Sequence, residues 1–423
     1  MPRCSGTTRL GLKCKSFACS GTTLCWVHTD KTPKPKVELE YVADGGRSDG
    51  SVRCLDLFSG IGGISYALSD IFTTALYCEI DALCRQILRA RMSDGRLHTA
   101  PIHDDIQTLK IKAGHIPEML CGGFPCQDIS KIGLGKGIEV GGRSGMFYEI
   151  MRLVDECPGI HVLFLENVAN ILRCGLKTVI EELAVRGFSA YWLMKSAAEM
   201  GALHERKRWF SLAVRGGFDV KRLQRQSSVV ERQGQVPARV SLKPEFAIDS
   251  SWCEDWAARS ATLGNSVVPC VVRAAFDELV EKALRWDKIA VGLKPFKTPL
   301  SKMGYPFTNE GLLYGGALYP MPIVTGRTRL RGDSGGKAAY SIRLPDGSMR
   351  LSTSYPTPRH GNVRPSRLTE RTSKDLATIL VHCQETSAYV DSILPGAEPI
   401  KVCVPNVAFL EYMMGYPQGW TQI

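Results

Sequence analysis

The sequence predicts an α/β protein: a mostly parallel sheet with helices on both faces, plus a smaller irregular or β-rich domain. Three observations point there. From residue 51 to about 212, short apolar runs alternate with stretches of helical periodicity, the pattern of strands joined by crossover helices. The first apolar run ends in a glycine cluster, "LDLFSGIGG", directly ahead of a helical pattern, which reads as a nucleotide-type cradle. After about residue 290 the texture turns to Gly, Pro, Tyr and Arg, as in "KPFKTPLSKMGYPFTNEGLLYGGALYPMP", with little helical periodicity before "SKDLATILVHC".

Taken in order, "VRCLDLFSGIGGISYAL" is strand, glycine turn and helix, and "TALYCEIDALCRQILRA" repeats strand then helix. "EMLCGGFP", "HVLFLENV" and "YWLMKSA" are further strands, separated by the helical stretches "SGMFYEIMRLVDE" and "LKTVIEELAVRG". Residues 214–260 are a basic, polar insert without that rhythm, and "ATLGNSVVPCVVRAAFDELVEKALRW" returns to turn plus helix. The expected division is therefore a Cys/His-rich module over 1–30, a Pro/Gly-rich linker over 31–50, an α/β domain over 51–288, and a separate domain over 290–423. The echo of "KMGYP" in "MMGYP" is too short to make a repeat.

Composition narrows the function classes. Hydrophobic residues make up 44% of the 423, enough for a real core. No run reaches the roughly 18 apolar residues of a membrane span. The basic start "MPRCSGTTRLGLKCK" lacks the apolar core of a secretory signal. An intracellular protein, cytoplasmic or nuclear, is expected, with no membrane contact, no obligate protein partner, and a monomeric state. The 15 cysteines, an odd number mostly set singly in apolar runs (Cys54, Cys78, Cys121, Cys403), suit reduced thiols rather than a disulfide framework. A formal charge of +11 suggests a polyanion such as nucleic acid, with solubility as the plain alternative.

Residues 1–30 hold Cys4, Cys14, Cys19, Cys25 and His28, and "CWVH" sets the last two at chelating spacing. Zinc takes four such ligands, and so short a module cannot fold on apolar burial alone. Four of the five would bind the metal. A basic leader with incidental cysteines is the other reading, because the spacing is not that of a standard finger.

Several residues fall where chemistry would be done. Gly60, Gly62 and Gly63 let backbone approach a ligand before a helix whose N-terminus favours negative charge. Glu79, ending the next strand in "YCEID", can take both ribose hydroxyls, so loop and acid together point to an adenosine-containing cofactor. Asp105 in "HDDIQTL" either accepts from an adenine amino group or caps a helix. Cys126 in "GGFPCQ" follows a strand and is held by Pro125, with no second cysteine at redox spacing, so a nucleophile fits. The run "DISKIGLGKGIEVGGRSG" after it, with Lys131, Lys136 and Arg143, reads as a cationic lid or as a loose surface loop. Glu166 and Asn167 end another strand, and Arg206 and Arg208 in "HERKRWF" stand two apart on an expected strand, so on one face. The bland readings are a surface carboxylate and a solvated basic face.

One chemistry uses all of these. Cytosine C5 is a poor nucleophile until a thiolate adds at C6, and a carboxylic acid near N3 stabilises the charge that develops. An arginine can hold O2, and S-adenosylmethionine supplies the methyl. A base inside a duplex must first be flipped out.

With these pieces in place the chain resembles the C5-cytosine DNA methyltransferases. "DLFSGIGG", "EID", "DDI", "GGFPCQ", "ENV", the R-x-R of "HERKRWF" and "GNSVVP" occur in that family's order, over about half the chain. The resemblance implies a Rossmann-like S-adenosylmethionine-dependent fold plus a target-recognition domain, and methyl transfer to cytosine in double-stranded DNA through a Cys126–C6 adduct. It implies Cys126 as nucleophile, Glu166 on N3 and the amino group, Arg208 at O2 and Arg206 near the site. The cofactor pocket would be lined by Asp56, Phe58, Gly60, Gly62, Glu79, Ile80, Asp105, Ile106, Pro125, Asn265 and Ser266.

The chain departs from the pattern at three points. His204 stands where the family usually has glutamine, only about 50 residues separate "HERKRWF" from "GNSVVP", and about 130 follow it. The tail carries "PSRLTER" and "FLEYMMGYPQGW", which resemble pieces the family places before "GNSVVP", so recognition is expected to have moved at least in part to 290–423. The rival readings are a tRNA cytosine-5 methyltransferase, an inactive DNA-binding relative, and a zinc-dependent regulator. No nuclease signature is visible, so any restriction partner would be another polypeptide.

Overall fold

The computed structural model describes residues 51–111, 117–125, 145–200, 202, 204–224, 248–249, 256–291, 295, 307–320, 340–343, 349–352, 404–405 and 407–423. The strands are β1 (Val52–Leu57), β2 (Phe72–Cys78), β3 (Ile102–His103), β4 (Met119–Gly123), β5 (Val162–Val168), β6 (Ser189–Lys195), β7 (Arg208–Val214), β8 (Ile248–Asp249), β9 (Gly311–Tyr314), β10 (Ala317–Pro320), β11 (Tyr340–Arg343), β12 (Met349–Ser352) and β13 (Val404–Pro405). The helices are α1 (Gly63–Ala67), α2 (Ala82–Ser93), α3 (Gly145–Glu156), α4 (Ile171–Cys174), α5 (Leu176–Val185), α6 (Trp256–Asn265), α7 (Pro269–Ala283), α8 (Trp286–Val291) and α9 (Val407–Met413).

Nine strands make one sheet in the order β10-β9-β6-β7-β5-β4-β1-β2-β3. From β5 to β3 every neighbouring pair is parallel, while β7 runs antiparallel between β5 and β6. Parallel strands are buried on both faces, which is why their sequences read as continuous apolar runs. Successive residues then feed opposite cores. Phe164 joins α1, α2 and α7 on one side, whereas Leu163 and Leu165 join α3 and α5 on the other. The strand order reverses between β1 and β4, each returning from its crossover on opposite sides, and ligands of such sheets bind outside the carboxyl ends at that point.

Two stretches of the tail differ from the expected separate domain over 290–423. Residues 311–320 extend the central sheet: β9 pairs with β6, and Gly315 and Gly316, both at positive φ (56° and 75°), close the β9–β10 hairpin. Residues 407–423 enter the core with α6 and α7, burying Leu410, Met414, Tyr416 and Trp420. The physical reason is apolar content: Val407, Leu410, Met413 and Met414 make a buried stripe at helical spacing that packs into the core. The five N-terminal metal-ligand candidates lie outside the described residues. Among the described residues no helix is long and apolar enough to cross a membrane, and no cluster of three or more His, Cys, Asp or Glu could hold a metal ion.

Candidate active site

Five strand ends line one edge of the sheet. Running from β5 to β3, they present Glu166, Phe124–Pro125, Phe58–Gly60, Glu79 and Asp104–Asp105. Phe58, Gly60, Glu79, Asp105, Pro125 and Glu166, among the sequence-predicted residues, therefore stand on the edge where such a topology takes a ligand.

The turn after β1 is tied tightly to β2. Ser59 donates its N–H to the Cys78 carbonyl at 3.1 Å, and its hydroxyl donates to the Asp56 carbonyl at 2.6 Å. Phe58 and Gly60 both sit at φ 54°. That left-handed region is strained for phenylalanine and free for glycine. Glu79 accepts the Gly60 N–H on Oε2 at 2.7 Å and the Asp81 N–H on Oε1 at 2.8 Å, so its carboxylate plane is fixed. Burial pushes the Glu79 carboxyl up, and these two backbone donors act against that. The carboxylate oxygens keep lone pairs for further donors.

The three glycines of the turn do different jobs. A Cβ at Gly60 would meet nothing within 4 Å, at Gly62 it would strike Leu97 and Leu88, and at Gly63 it would lie 2.2 Å from the Tyr416 hydroxyl. Gly60 thus faces open space beside Glu79, while Gly62 and Gly63 permit packing. The expected helix-terminus charge effect has little to work on, since α1 is only 5 residues long.

Ile80, next to Glu79, is 54% exposed, an unusual position for a large aliphatic side chain and one suited to covering a flat ring. Phe58 is half-buried and Ile106 buried. Asp105 accepts the Gln107 N–H on Oδ1 at 3.0 Å, which organises a turn; no helix follows it. Asp56 is buried beneath the turn. It accepts from Ser65 Oγ at 2.5 Å on Oδ2, while Oδ1 has no partner. Burial, with a smaller push from Glu79, raises its carboxyl to about 7, so it serves the turn from below rather than lining a pocket.

The base half of the site is built from β4, β5 and β7. Glu166 lies opposite Gly123 in the parallel register and opposite Phe210 in the antiparallel one. A Cβ at Gly123 would come within 2.7 Å of Glu166 Oε2, and one at Gly122 within 2.3 Å of the Leu57 carbonyl. The glycine pair of "GGFPC" is therefore the clearance that lets the carboxyl and the first strand approach β4. Asn167 donates from Nδ2 to the Phe124 carbonyl at 3.0 Å, tying the end of β5 to the turn that leads into Cys126. Cys126 itself and the glycine-rich run to residue 144 lie outside the described residues.

Glu166 is 8% exposed and its Oε1 is 3.1 Å from Arg208 Nε. Burial raises its carboxyl, with Arg208 and then Arg206 pulling the other way.

Arg206 and Arg208 do not share a strand face as expected. β7 starts at Arg208, and Arg206 stands before it at φ 32°. Arg206 is buried and donates from Nη2 to the carbonyls of Gly264 (3.1 Å) and Ser266. It braces the "GNSVVP" turn, in which Pro269 opens α7 and Ser266 Oγ donates to the Leu263 carbonyl at 2.9 Å. Asn265 is exposed at the end of α6. His204 is fully buried, and its Nε2 lies 2.8 Å from the Met413 carbonyl. Burial and Arg206 depress it to about 4, so it is neutral and donates from Nε2. Sequence reading missed Tyr416 and Trp420, which reach the turn after β1 from more than 300 residues away, and Arg91 and Glu411, which bond to their segment. Their one sequence signal was "GYPQGW", out of its usual order.

An α/β sheet whose parallel strands end in a glycine turn and a buried carboxylate, with an antiparallel strand beyond β5, is Rossmann-like. Residues 52–260 match the model of the C-5 cytosine-specific DNA methylase family. The chain is 30% identical over 233 residues to the type II methyltransferase M.CviJI of Paramecium bursaria Chlorella virus IL3A, covering 54% of this chain and 59% of that protein. It is 33% identical over 182 residues to the type II methyltransferase M.MspI of Moraxella sp, covering 41% of each. The chain thus spans less than two thirds of the length of either relative.

Proposed function

We propose that the chain is a DNA (cytosine-5)-methyltransferase acting on a flipped-out cytosine of double-stranded DNA. The observation that carries this is Glu166: a buried carboxyl raised by burial, steadied by Arg208, beside β4, the strand that precedes "FPC" in the sequence. A carboxyl kept partly protonated can donate to N3 and stabilise charge there. Arg208, at the rim of that carboxyl, would hold the O2 oxygen. Cys126 would form the bond to C6 and be expelled when the C5 proton leaves. The open space before Gly60, the fixed Glu79 carboxylate and exposed Ile80 fit an adenosine moiety, with the ribose on Glu79 and the ring against Ile80 and Phe58. S-adenosylmethionine, when bound, supplies the electrophilic methyl.

Target recognition is assigned to 321–403. That segment begins after β10 of the main sheet and ends before β13, which pairs with β8. The N-terminal cysteines remain a proposed zinc module, tested by the metal content of the purified chain.

The deciding experiment is transfer of labelled methyl from S-adenosylmethionine to unmethylated duplex DNA, with tRNA alongside, for wild type and Cys126→Ala. Transfer to DNA that vanishes in the variant supports the reading. Transfer to tRNA alone, or none by the wild type, rejects it.

A further inference from the structure

The segment 407–423 reaches both halves of the site. Its Trp420, buried completely, donates from Nε1 to the Ile61 carbonyl at 3.0 Å. Ile61 lies between Gly60, whose N–H meets Glu79, and Gly62. The Tyr416 hydroxyl occupies the space over Gly63. At the other end, the Met413 carbonyl accepts from His204, two residues before Arg206 and four before Arg208.

The turn that carries Trp420 is itself locked by charge. Arg91, in α2 just beyond the Glu79 strand end, donates to the carbonyls of Gly419 (2.6 Å), Trp420 (3.0 Å) and Gln422 (3.2 Å). The fully buried Glu411 accepts the N–H groups of Gly419 (2.7 Å) and Thr421 (2.8 Å). Buried charge-assisted bonds of this kind hold a geometry rather than merely fill space. Core filling alone would need an apolar ring at 420; it would need neither the indole N–H on a cofactor-turn carbonyl nor a guanidinium on three successive-turn carbonyls.

We propose that Trp420 is a positioning residue for the cofactor: its bond to Ile61 sets the Phe58–Gly63 turn, so that docking of 407–423 and occupancy of the cofactor site stabilise one another. The inference rests on the reading of this crevice as an S-adenosylmethionine site. Because 407–423 follows the proposed recognition segment in the chain and also holds His204, it gives that segment a physical connection to the cofactor turn.

The test uses the full-length chain and S-adenosylmethionine itself. Titration calorimetry compares wild type with Trp420→Phe, which keeps the ring and removes the donor. Trp286→Phe, an indole of the same core on α8, calibrates the cost of a purely structural loss. Trp420→Phe should raise the dissociation constant roughly fivefold, the equivalent of one ordinary hydrogen bond, while Trp286→Phe leaves it unchanged. Hydrogen exchange at the Gly419 and Thr421 amides should slow when the cofactor is added. A lowered melting temperature in Trp420→Phe with an unaltered dissociation constant overturns the proposal, as does exchange at 419 and 421 that ignores the cofactor. Wild type that binds no S-adenosylmethionine overturns the crevice reading as well, so the two failures are distinct.

Discussion

Arg208 Nε lies 3.1 Å from Glu166 Oε1, joining the first residue of β7 to the end of the neighbouring antiparallel strand. The pair is half a compromise. Burial favours the neutral acid, the guanidinium favours the carboxylate, and burial prevails. Under the proposed chemistry Glu166→Gln should lower methyl transfer about a hundredfold or more, the ordinary contribution of a positioned acid, with cofactor affinity within twofold. Steady-state transfer and calorimetry on the same preparation decide it. Near-normal turnover would remove Glu166 from the chemistry.

The same pair makes a pH prediction. The acid form of Glu166 persists to higher pH than in an ordinary glutamate, so the turnover it supports falls as pH rises through its raised value. Arg208→Ala removes the influence that lowers it, and the alkaline limb of the kcat profile should move to higher pH, at reduced overall turnover. A limb that moves to lower pH would contradict the assignment.

Glu79 holds the cofactor turn through Gly60 and faces the open side of the crevice. Glu79→Ala should weaken S-adenosylmethionine binding by roughly ten- to a hundredfold, the range for hydrogen bonds to a charged group, as read by calorimetry. Unchanged affinity would place the ribose elsewhere.

Asp56 gives a stability prediction. Its carboxyl is pushed up to about 7 by burial, so the native state holds a proton that the unfolded chain releases near pH 4. Stability from this group is full below about pH 4 and is lost as pH rises to about 7, by up to about 4 kcal/mol. Asp56→Asn should flatten that part of the profile. Melting curves of both proteins from pH 4 to 8 measure it, and parallel curves would disprove it.

Gly311 and Trp192 define the outer edge of the fold. A Cβ at 311 would come 2.0 Å from the indole, whose Nε1 donates to the Thr308 carbonyl at 3.2 Å. Gly311→Ala should cost about 2 kcal/mol, as overpacking does, in urea unfolding. A chain ending near residue 290 would lose this edge and the buried Trp420 as well, and should fail to unfold cooperatively. Truncation there therefore tests folding, not target recognition.

Much of this was legible beforehand because parallel sheets write themselves as apolar runs, and because Glu79, Glu166 and the glycines must stand at strand ends to face a ligand. Three features were not. A two-residue offset read as one strand face for Arg206 and Arg208, but the strand begins only at 208 and burial turns Arg206 toward carbonyls. The hairpin at 311–320 read as part of a separate irregular or β-rich domain, because strands of 4 residues each carry no signal of which sheet they join. The place of "FLEYMMGYPQGW" depended on a partner hundreds of residues upstream, and local periodicity carries no information about that.

The bond from Trp420 to Ile61 spans 359 positions of the chain. A ribosome therefore delivers every catalytic motif long before the residue that finishes the cofactor turn has emerged. Contacts of such separation form late and slowly. The bond from Trp420 to Ile61 can form only after the stretch proposed to read the target has also been made. A fragment that stops before the stretch proposed to read the target therefore also lacks the tryptophan proposed to set the cofactor turn.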